Sequence, residues 1–231
     1  MTTQTSQHTE SRPYDERILV VKRAHLFANG PWEGVNIEQL VPCIEAIGKH
    51  SEFHLRSLME QDPTYKQIIP YLVFQYQDKF FIMQRKKEAS EQRLQSKYSL
   101  GIGGHMRYED LQQGADLFSW ARREFEEEVA YEGNIEIVPL GVLNDDSNEV
   151  GKVHLGLVFM VIGDSDNIKV KSELASGTLM TLSECLDYVP KMETWSQMVL
   201  MTLLKEGMRF AQETPDQQQH ETCGEDEKCC E

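Results

Sequence analysis

Apolar residues are concentrated in two pairs of runs, each pair interrupted by a short polar segment. In residues 65–87, YKQIIPYLVFQYQDKFFIMQRKK, two β-rich runs flank YQDK, which predicts a β-hairpin. In residues 134–163, NIEIVPLGVLNDDSNEVGKVHLGLVFMVIG, two runs flank NDDSNEVG, which predicts two long strands joined by a turn. A further strand is predicted near the N-terminus, within RILVVKRAHLF.

Three other segments carry helical signals. Residues 116–133, DLFSWARREFEEEVAYEG, predict a helix that ends at or near Gly133. Thr181 and Glu184 have the spacing of a capping box, which predicts the start of a second helix. Residues 192–212 predict a third helix with one apolar face. The order of strands, helix, strands and helices favours an α+β fold, an α/β/α sandwich in which a mixed β-sheet is flanked by helices.

Changes in composition divide the chain into four predicted regions. We expect residues 1–15 to be a disordered N-terminus and residues 16–67 to be an extension that packs on or caps the main domain. The main domain spans residues 68–211. Residues 212–231 form an acidic tail with three cysteines, which we expect to be disordered; metal binding or redox chemistry is the alternative for those thiols. The extension also offers a surface for a possible homodimer.

The net charge of −15 over 231 residues limits the classes of partner. A nucleic-acid backbone and an anionic membrane both attract basic surfaces, so we expect neither as a partner. No apolar run is long enough to span a bilayer, and the polar N-terminus has no signal region, so we expect a cytoplasmic protein. An anionic substrate would need local help from lysine, arginine or a metal ion.

The segment RREFEEEVAYEG places four glutamates in five positions. On a helix at about 100° per residue, Glu124, Glu127 and Glu128 share an arc of about 100°, while Glu126 points to the far side. Arg123 lies one turn before Glu127 and is placed to brace it. The three glutamates adjoin a predicted buried stripe formed by Phe118, Ala121, Phe125 and Val129. Trp120 lies off that stripe, and we expect it to pack under the preceding loop.

Three converging carboxylates repel one another unless a cation or solvent offsets their charge. Mg²⁺ and Mn²⁺ prefer oxygen ligands, keep several waters and often bridge to substrate phosphates. The glycine-rich GIGGHM precedes this helix, and glycines let the backbone approach a ligand closely. The pattern favours a metal site for phosphoryl chemistry, with a solvated acidic face as the alternative.

These residues resemble the Nudix hydrolase (MutT-like) family, whose box reads G-x5-E-x7-R-E-U-x-E-E-x-G-U with U apolar. REFEEEVAY matches its second half from Arg123 to Tyr131, and Gly104 matches its first glycine. The resemblance covers residues 68–210 and implies a Nudix-like fold. The box is expanded and slightly degenerate. Asp110 replaces its first glutamate, and Ala130 replaces its last glycine. Twelve residues, rather than the seven of the pattern, separate Asp110 from Arg123.

The resemblance implies hydrolysis of a pyrophosphate bond in a nucleoside diphosphate-type or related phosphorylated small molecule. It implies that Mg²⁺ or Mn²⁺ is held by three carboxylates and one carbonyl, those of Glu124, Glu127, Glu128 and Gly104. Glu127 would then be catalytic, with Arg123 orienting it.

The resemblance also suggests residues outside the helix. The base that activates the attacking water is either a glutamate of the box or a glutamate from a distant loop. Glu149 is the loop candidate, with Asp145 and Asp146 as its rivals and an ordinary acidic turn as the alternative. Arg85 and His105, with Gly104, are candidates for contact with substrate. Their alternatives are a solvated strand end and a structural histidine.

Two other functions fit the same residues. The stretched box and its substitutions are compatible with a Nudix-like ligand-binding or sensor module that is catalytically weak. Isomerisation of an allylic diphosphate ranks last, because no cysteine is suitably placed near the glutamates.

Overall fold

The computed structural model of the protein describes residues 15–85, 97–111, 116–171 and 174–213. Within these ranges the side chains of Arg85, Leu111 and residues 208–213 are not described. The disorder predicted for residues 1–15 and 212–231 falls on residues outside the described ranges except at three positions, and there it stays a prediction. Asp15 accepts hydrogen bonds from Ser57, and residues 212–213 end the last helix.

A mixed β-sheet forms the centre of the molecule. Its strands are β1 (Arg17–Lys22), β2 (Gly34–Asn36), β3 (Ser51–Leu55), β4 (Tyr65–Tyr76), β5 (Lys79–Arg85), β6 (Tyr98–Ser99), β7 (Ile102–Gly103), β9 (Ile135–Asn144), β10 (His154–Gly163) and β12 (Leu174–Thr181). The strand order is β12-β5-β4-β10-β9-β2; in addition, β1 pairs with β3 and β4, β6 with β5, and β7 with β4. Strands β4 and β10 are parallel neighbours, and almost every residue in them is buried because helices cover both faces. A separate two-stranded sheet pairs β8 (Val129–Tyr131) with β11 (Ile168–Val170).

Helices pack on the two faces of the sheet, which confirms the predicted α+β class with a mixed sheet flanked by helices. The α-helices are α1 (Arg23–Leu26), α2 (Leu40–His50), α3 (Arg56–Met59), α4 (Tyr108–Leu111), α5 (Leu117–Glu128), α6 (Glu149–Val153), α7 (Leu182–Cys185) and α8 (Thr194–Glu213). A 3-10 helix, Leu186–Lys191, follows α7. Helix α5 contributes to one core cluster through Phe125, and α8 contributes to a second through Val199. Among the described residues, no helix has both the length and the apolar character needed to cross a membrane.

Most predicted elements are present. The β4–β5 hairpin turns at YQDK, with Tyr76 opposite Lys79. Strands β9 and β10 are antiparallel, although their connection contains the short helix α6. The capping box is confirmed, because the Thr181 and Glu184 side chains each accept a hydrogen bond from the other's backbone N–H.

The predicted end of the glutamate helix was wrong. Helix α5 ends at Glu128, and the next three residues form strand β8, which pairs with Ile168–Val170. Pairing with a distant strand therefore overrides the local helical pattern. The buried stripe was wrong at Phe118, which is 46% exposed, whereas Trp120 is 7% exposed and joins the main core.

The segment before the main domain contributes strands to the same sheet. Strand β1 pairs with β3 and β4, and β2 pairs with β9. Residues 51–55 form strand β3, which the sequence analysis did not predict. Strand β4 begins at Tyr65, so the boundary placed between residues 67 and 68 falls inside one strand. The division of the chain into an extension and a main domain stays a prediction.

Phe125 fixes helix α5 to the sheet, since its ring is 1% exposed and stacks on Phe74 at 5.8 Å between centroids. We expect Phe125→Ala to lower the free energy of unfolding by about 3–5 kcal/mol, because it leaves a cavity in the core. Phe118→Ala, on the exposed side of the same helix, is the control and should cost less than half as much. Urea unfolding measures both; equal losses would contradict this packing.

Candidate active site

Gly104 brings the backbone against a buried carboxylate of helix α5. It follows β7, which pairs with β4. A Cβ atom on Gly104 would lie 2.0 Å from Glu124 Oε2, so a side chain at this position would displace that oxygen. Glu124 is 8% exposed, which is rare for a carboxylate. The sequence match of Gly104 to the first box glycine therefore corresponds to a close approach between these two residues.

Arg123 holds three carboxylates together. Its Nη1 donates to Glu127 Oε1 at 2.8 Å, and its Nη2 lies 2.8 Å from Glu124 Oε1. The same Nη2 lies 3.1 Å from Asp110 Oδ2. Arg107 adds a second cation, with Nη2 3.5 Å from Glu127 Oε1, and its backbone N–H donates to Asp110 at 3.1 Å. Asp110 thus reaches the box arginine in spite of the longer segment between them.

Burial of Glu124 raises its pKa to about 7, and the nearby Arg123 only partly opposes this shift. The neighbouring carboxylates of Glu127 and Glu128 raise it further. A divalent cation at this position would favour the ionised form. The buried carboxylate and the close backbone at Gly104 therefore fit a small oxygen-bound cation such as Mg²⁺ or Mn²⁺.

Glu128 faces a pocket between the sheet and helix α5. The other lining residues combine apolar side chains, a hydroxyl and glycine backbone: Met83, Ser99, Gly101, Ile102, Gly103 and Leu174. Apolar walls beside a carboxylate are features of small-molecule sites, but the enclosed space is close to that of one water molecule, so a nucleotide-sized ligand would extend outside it. Arg85 ends β5 with its backbone opposite Leu174, so the strand that carries it runs beside this pocket. Its side chain lies outside the described part of the chain.

The three candidate acids of the β9–α6 connection lie in different surroundings. Asp145 is fully buried and accepts hydrogen bonds from Ser147, Asn148 and Thr194. These hydrogen bonds use the Asp145 carboxylate to stabilise the segment between β9 and α6.

Asp146 pairs with Arg23 and with Lys66, whose Nζ donates to it at 2.9 Å. Partial burial opposes its ionisation, but the hydrogen bonds from Arg23 and Lys66 outweigh this and hold the pKa of Asp146 well below its ordinary range. Glu149 is different: its side chain is 79% exposed and lies 2.6 Å from Lys152.

His105 turns away from Glu124. Its Nε2 lies 2.8 Å from Gln67 Oε1 and 3.3 Å from His154 Nε2. Burial holds the pKa of His105 well below its ordinary value, with smaller contributions from Arg56 and His154. The structure therefore places this candidate substrate contact against protein groups.

Sequence reasoning missed one constellation. Among the described residues, the potential ligand atoms of Glu60, His105 and His154 all lie within 4.8 Å of one another. These residues come from three separated segments, so no local spacing indicates them. Their only sequence signal is the residue type, and that is weak for isolated histidines.

Comparison with known proteins gives relatives over most of the chain. No model of a protein family matched the sequence. The chain is 36% identical over 205 residues to Protein YmaB of Bacillus subtilis, covering 80% of this chain and 96% of that protein. It is 33% identical to Tm1382, a provisionally assigned Nudix hydrolase, with a TM-score of 0.70 over 83% of this chain and 100% of that one. DR0079 from Deinococcus radiodurans, at 14% identity and a TM-score of 0.50, shares the fold over 74% of this chain and 96% of its own.

The mixed sheet flanked by helices and the 33% identity to Tm1382 over 83% of this chain show that the chain belongs to the Nudix hydrolase family.

The raised pKa of Glu124 predicts an unusual pH dependence in the metal-free protein. Between the ordinary value of 4.5 and about 7, the native state retains a proton that the unfolded chain has lost. The free energy of unfolding therefore falls as pH rises through this window, by about 3 kcal/mol from this group. Glu124→Gln should remove that fall. Denaturant unfolding at several pH values in the presence of a chelator measures it.

Glu126→Gln provides the matched control for this pH dependence, because Glu126 is an exposed glutamate of the same helix. It should keep the wild-type dependence. Parallel curves for wild type and Glu124→Gln would show that Glu124 is not the group that retains the proton.

Proposed function

We propose that the protein is a metal-dependent hydrolase that cleaves a phosphoanhydride (pyrophosphate) bond in a nucleoside diphosphate-type or related phosphorylated small molecule. The observation that carries the proposal is the contact of Gly104 with buried Glu124, on a helix whose Glu128 lines a pocket. The proposal assigns the metal to Glu124, Glu127, Glu128 and the Gly104 carbonyl.

Mg²⁺ or Mn²⁺ bound there would polarise phosphate oxygens and lower the pKa of a bound water. The chain's own residues set the geometry. Arg123 restrains Glu124 and Glu127 from one guanidinium, and Asp110 restrains Arg123 in turn. This arrangement positions the carboxylates before substrate arrives, which reduces the reorganisation needed for reaction.

The proposed substrate site is the surface around the small pocket next to Glu128, with only one end of the substrate entering the pocket itself. Met83, Ile102 and Leu174 offer apolar contacts, and the Ser99 hydroxyl donates to the Gly101 carbonyl at 2.7 Å, which stiffens the backbone there. A phosphorylated small molecule would place its charged groups toward the α5 carboxylates and the metal. Arg85 stays a predicted phosphate contact, because its strand runs beside Leu174.

Glu149 is the proposed acid that activates the attacking water. Asp145 and Asp146 are both tied to groups that hold the connection, whereas Glu149 is largely exposed at the start of α6. Its ion pair with Lys152 is a surface pair, which costs little to open.

A catalytically weak ligand-binding module is the second candidate. The sequence favours it, because twelve residues rather than seven separate Asp110 from Arg123, and Ala130 replaces the last glycine of the box. The two candidates differ in turnover: a sensor is stabilised by its ligand and leaves it intact, while an enzyme hydrolyses it.

Glu127→Gln tests the proposed activity. With Mg²⁺ and a panel of nucleoside diphosphate derivatives, we expect wild type to release product and Glu127→Gln to lose at least about 100-fold in kcat/KM, because a carboxylate of the site is removed. Glu126→Gln, which alters an exposed neighbour, should retain activity. A panel that stabilises the protein but is never hydrolysed would favour the sensor, and equal activity of both variants would contradict the proposed site.

Gly104→Ala tests the close approach of the Gly104 backbone to the Glu124 carboxylate. The added methyl group meets the end of a flexible side chain, so we expect the fold to be retained while Glu124 moves and Mn²⁺ affinity falls at least about tenfold. Gly48→Ala is the matched control, because a Cβ there meets nothing within 4 Å. Titration with Mn²⁺, followed by electron paramagnetic resonance, measures both. Unchanged Mn²⁺ affinity in Gly104→Ala would contradict a metal site formed by Glu124 and the Gly104 backbone.

A further inference from the structure

A histidine pair lies at one end of the parallel strands β4 and β10, and neither histidine is among the proposed metal ligands of helix α5 and Gly104. His154 begins β10 and is in register with Gln67 of β4. His105 follows Gly104, and its ring meets both residues from the neighbouring segment. Glu60, directly after helix α3, completes the group from the protein surface. Three separate segments therefore bring two imidazoles and one carboxylate to one point.

The tautomer of His154 is set by its surroundings. Its Nδ1 lies 2.7 Å from the carbonyl oxygen of Val150, which can only accept a hydrogen bond, so Nδ1 carries the proton. In the neutral ring the lone pair is then on Nε2, which faces His105. Histidines that bind metals commonly donate their other ring N–H to a carbonyl in this way. His154 is 7% exposed, so the ring is fixed in this orientation.

The separation of the two imidazoles matches that of ligands on one ion. His105 Nε2 and His154 Nε2 are 3.3 Å apart. Two nitrogens bound to one tetrahedral zinc ion at 2.0–2.1 Å would be separated by about 3.4 Å. A hydrogen bond between the two rings gives the same distance in the absence of metal. The carboxylate of Glu60, within 4.8 Å of the ring nitrogens, adds a third potential ligand, and its ion pair with Arg56 holds it at the surface in the metal-free protein.

We propose that Glu60, His105 and His154 form a second metal site, selective for a borderline divalent transition metal such as Zn²⁺ rather than for Mg²⁺. Imidazole nitrogen suits Zn²⁺, whereas the all-oxygen α5 cluster suits Mg²⁺ or Mn²⁺. In the metal-free protein His105 Nε2 donates to Gln67 Oε1, so coordination through Nε2 breaks that hydrogen bond and moves the proton of the ring to Nδ1. The site holds one carboxylate and leaves positions open for water. His105 is thus proposed as a metal ligand rather than as the substrate contact expected from the sequence.

Arg56 sets the affinity of this site. Its Nε lies 3.4 Å from Glu60 Oε1, and its Nη1 lies 3.3 Å from Glu16 Oε2. A guanidinium beside Glu60 opposes a divalent ion and competes for its carboxylate. Because Arg56 has Glu16 as an alternative partner, it can release Glu60 to the metal. Removing the charge of Arg56 should therefore tighten metal binding, whereas removing that of Glu60 should weaken it.

The test measures Co²⁺ binding to the full chain, since the absorption spectrum of Co²⁺ distinguishes nitrogen from oxygen ligands. Excess Mg²⁺ occupies the α5 carboxylates. Replacing Cys223, Cys229 and Cys230 by serine in every sample removes the tail thiols as competing ligands. We expect about one nitrogen-ligated Co²⁺ per chain after dialysis, displaced by Zn²⁺.

Variants decide the assignment. Glu60→Gln and His154→Asn should weaken Co²⁺ binding at least about tenfold, and Arg56→Gln should strengthen it. His25→Asn, which alters a histidine stacked on His50, should leave it unchanged. Circular dichroism checks each fold; if His154→Asn does not fold, Glu60→Gln decides, because Glu60 is exposed. No retained Co²⁺ in the parent, an oxygen-only spectrum, or equal binding by Glu60→Gln and the parent would each overturn the proposal. This outcome does not depend on phosphohydrolase activity.

Discussion

The arrangement of the site depends on one partly buried guanidinium. Arg123 lies among Asp110, Glu124 and Glu127, and without it these carboxylates would repel one another beside the core. Burial of Glu124 is costly, as its raised pKa shows, and Arg123 offsets only part of that cost. The core beneath supports the arrangement, because Phe125 lies between these glutamates in sequence and packs on Phe74. The helix therefore carries a buried apolar face next to a group of carboxylates whose repulsion is only partly offset.

Gly104 and His105 are adjacent in sequence but contact two different groups of potential metal ligands. At Gly104 the backbone approaches Glu124, whereas the ring of His105 reaches Gln67 and His154. One short stretch of chain therefore contacts both groups. The first group offers oxygen ligands and the second offers imidazole nitrogen. Ions of different classes would thus be separated by ligand chemistry, although the sites are joined by one peptide bond.

Local patterns predicted what local physics determines. The hairpin at YQDK, the capping box of Thr181 and Glu184 and the helix of Phe125 follow from turns, caps and apolar periodicity. The pairing of Arg123 with Glu127 at 2.8 Å follows from helical geometry alone. These features need no knowledge of distant residues, and the family resemblance rests on the same short segment.

Features that depend on distant partners were missed. Helix α5 ends at Glu128 because Val129–Tyr131 pairs with a strand about forty residues away. Trp120 is buried and Phe118 half exposed because the sheet covers a different arc of the helix from the one inferred. The group of Glu60, His105 and His154 is assembled by strand pairing across three segments, and no spacing along the chain indicates it.

Helix α5 and Gly104 are proposed to hold a catalytic cation together. Anomalous diffraction from crystals containing Mn²⁺ tests this most directly. We expect a manganese peak within about 2.6 Å of carboxylate oxygens of Glu124, Glu127 and Glu128 and of the Gly104 carbonyl oxygen. A well-ordered helix α5 with no manganese peak beside it, in protein that hydrolyses its substrate under the same conditions, would contradict the account.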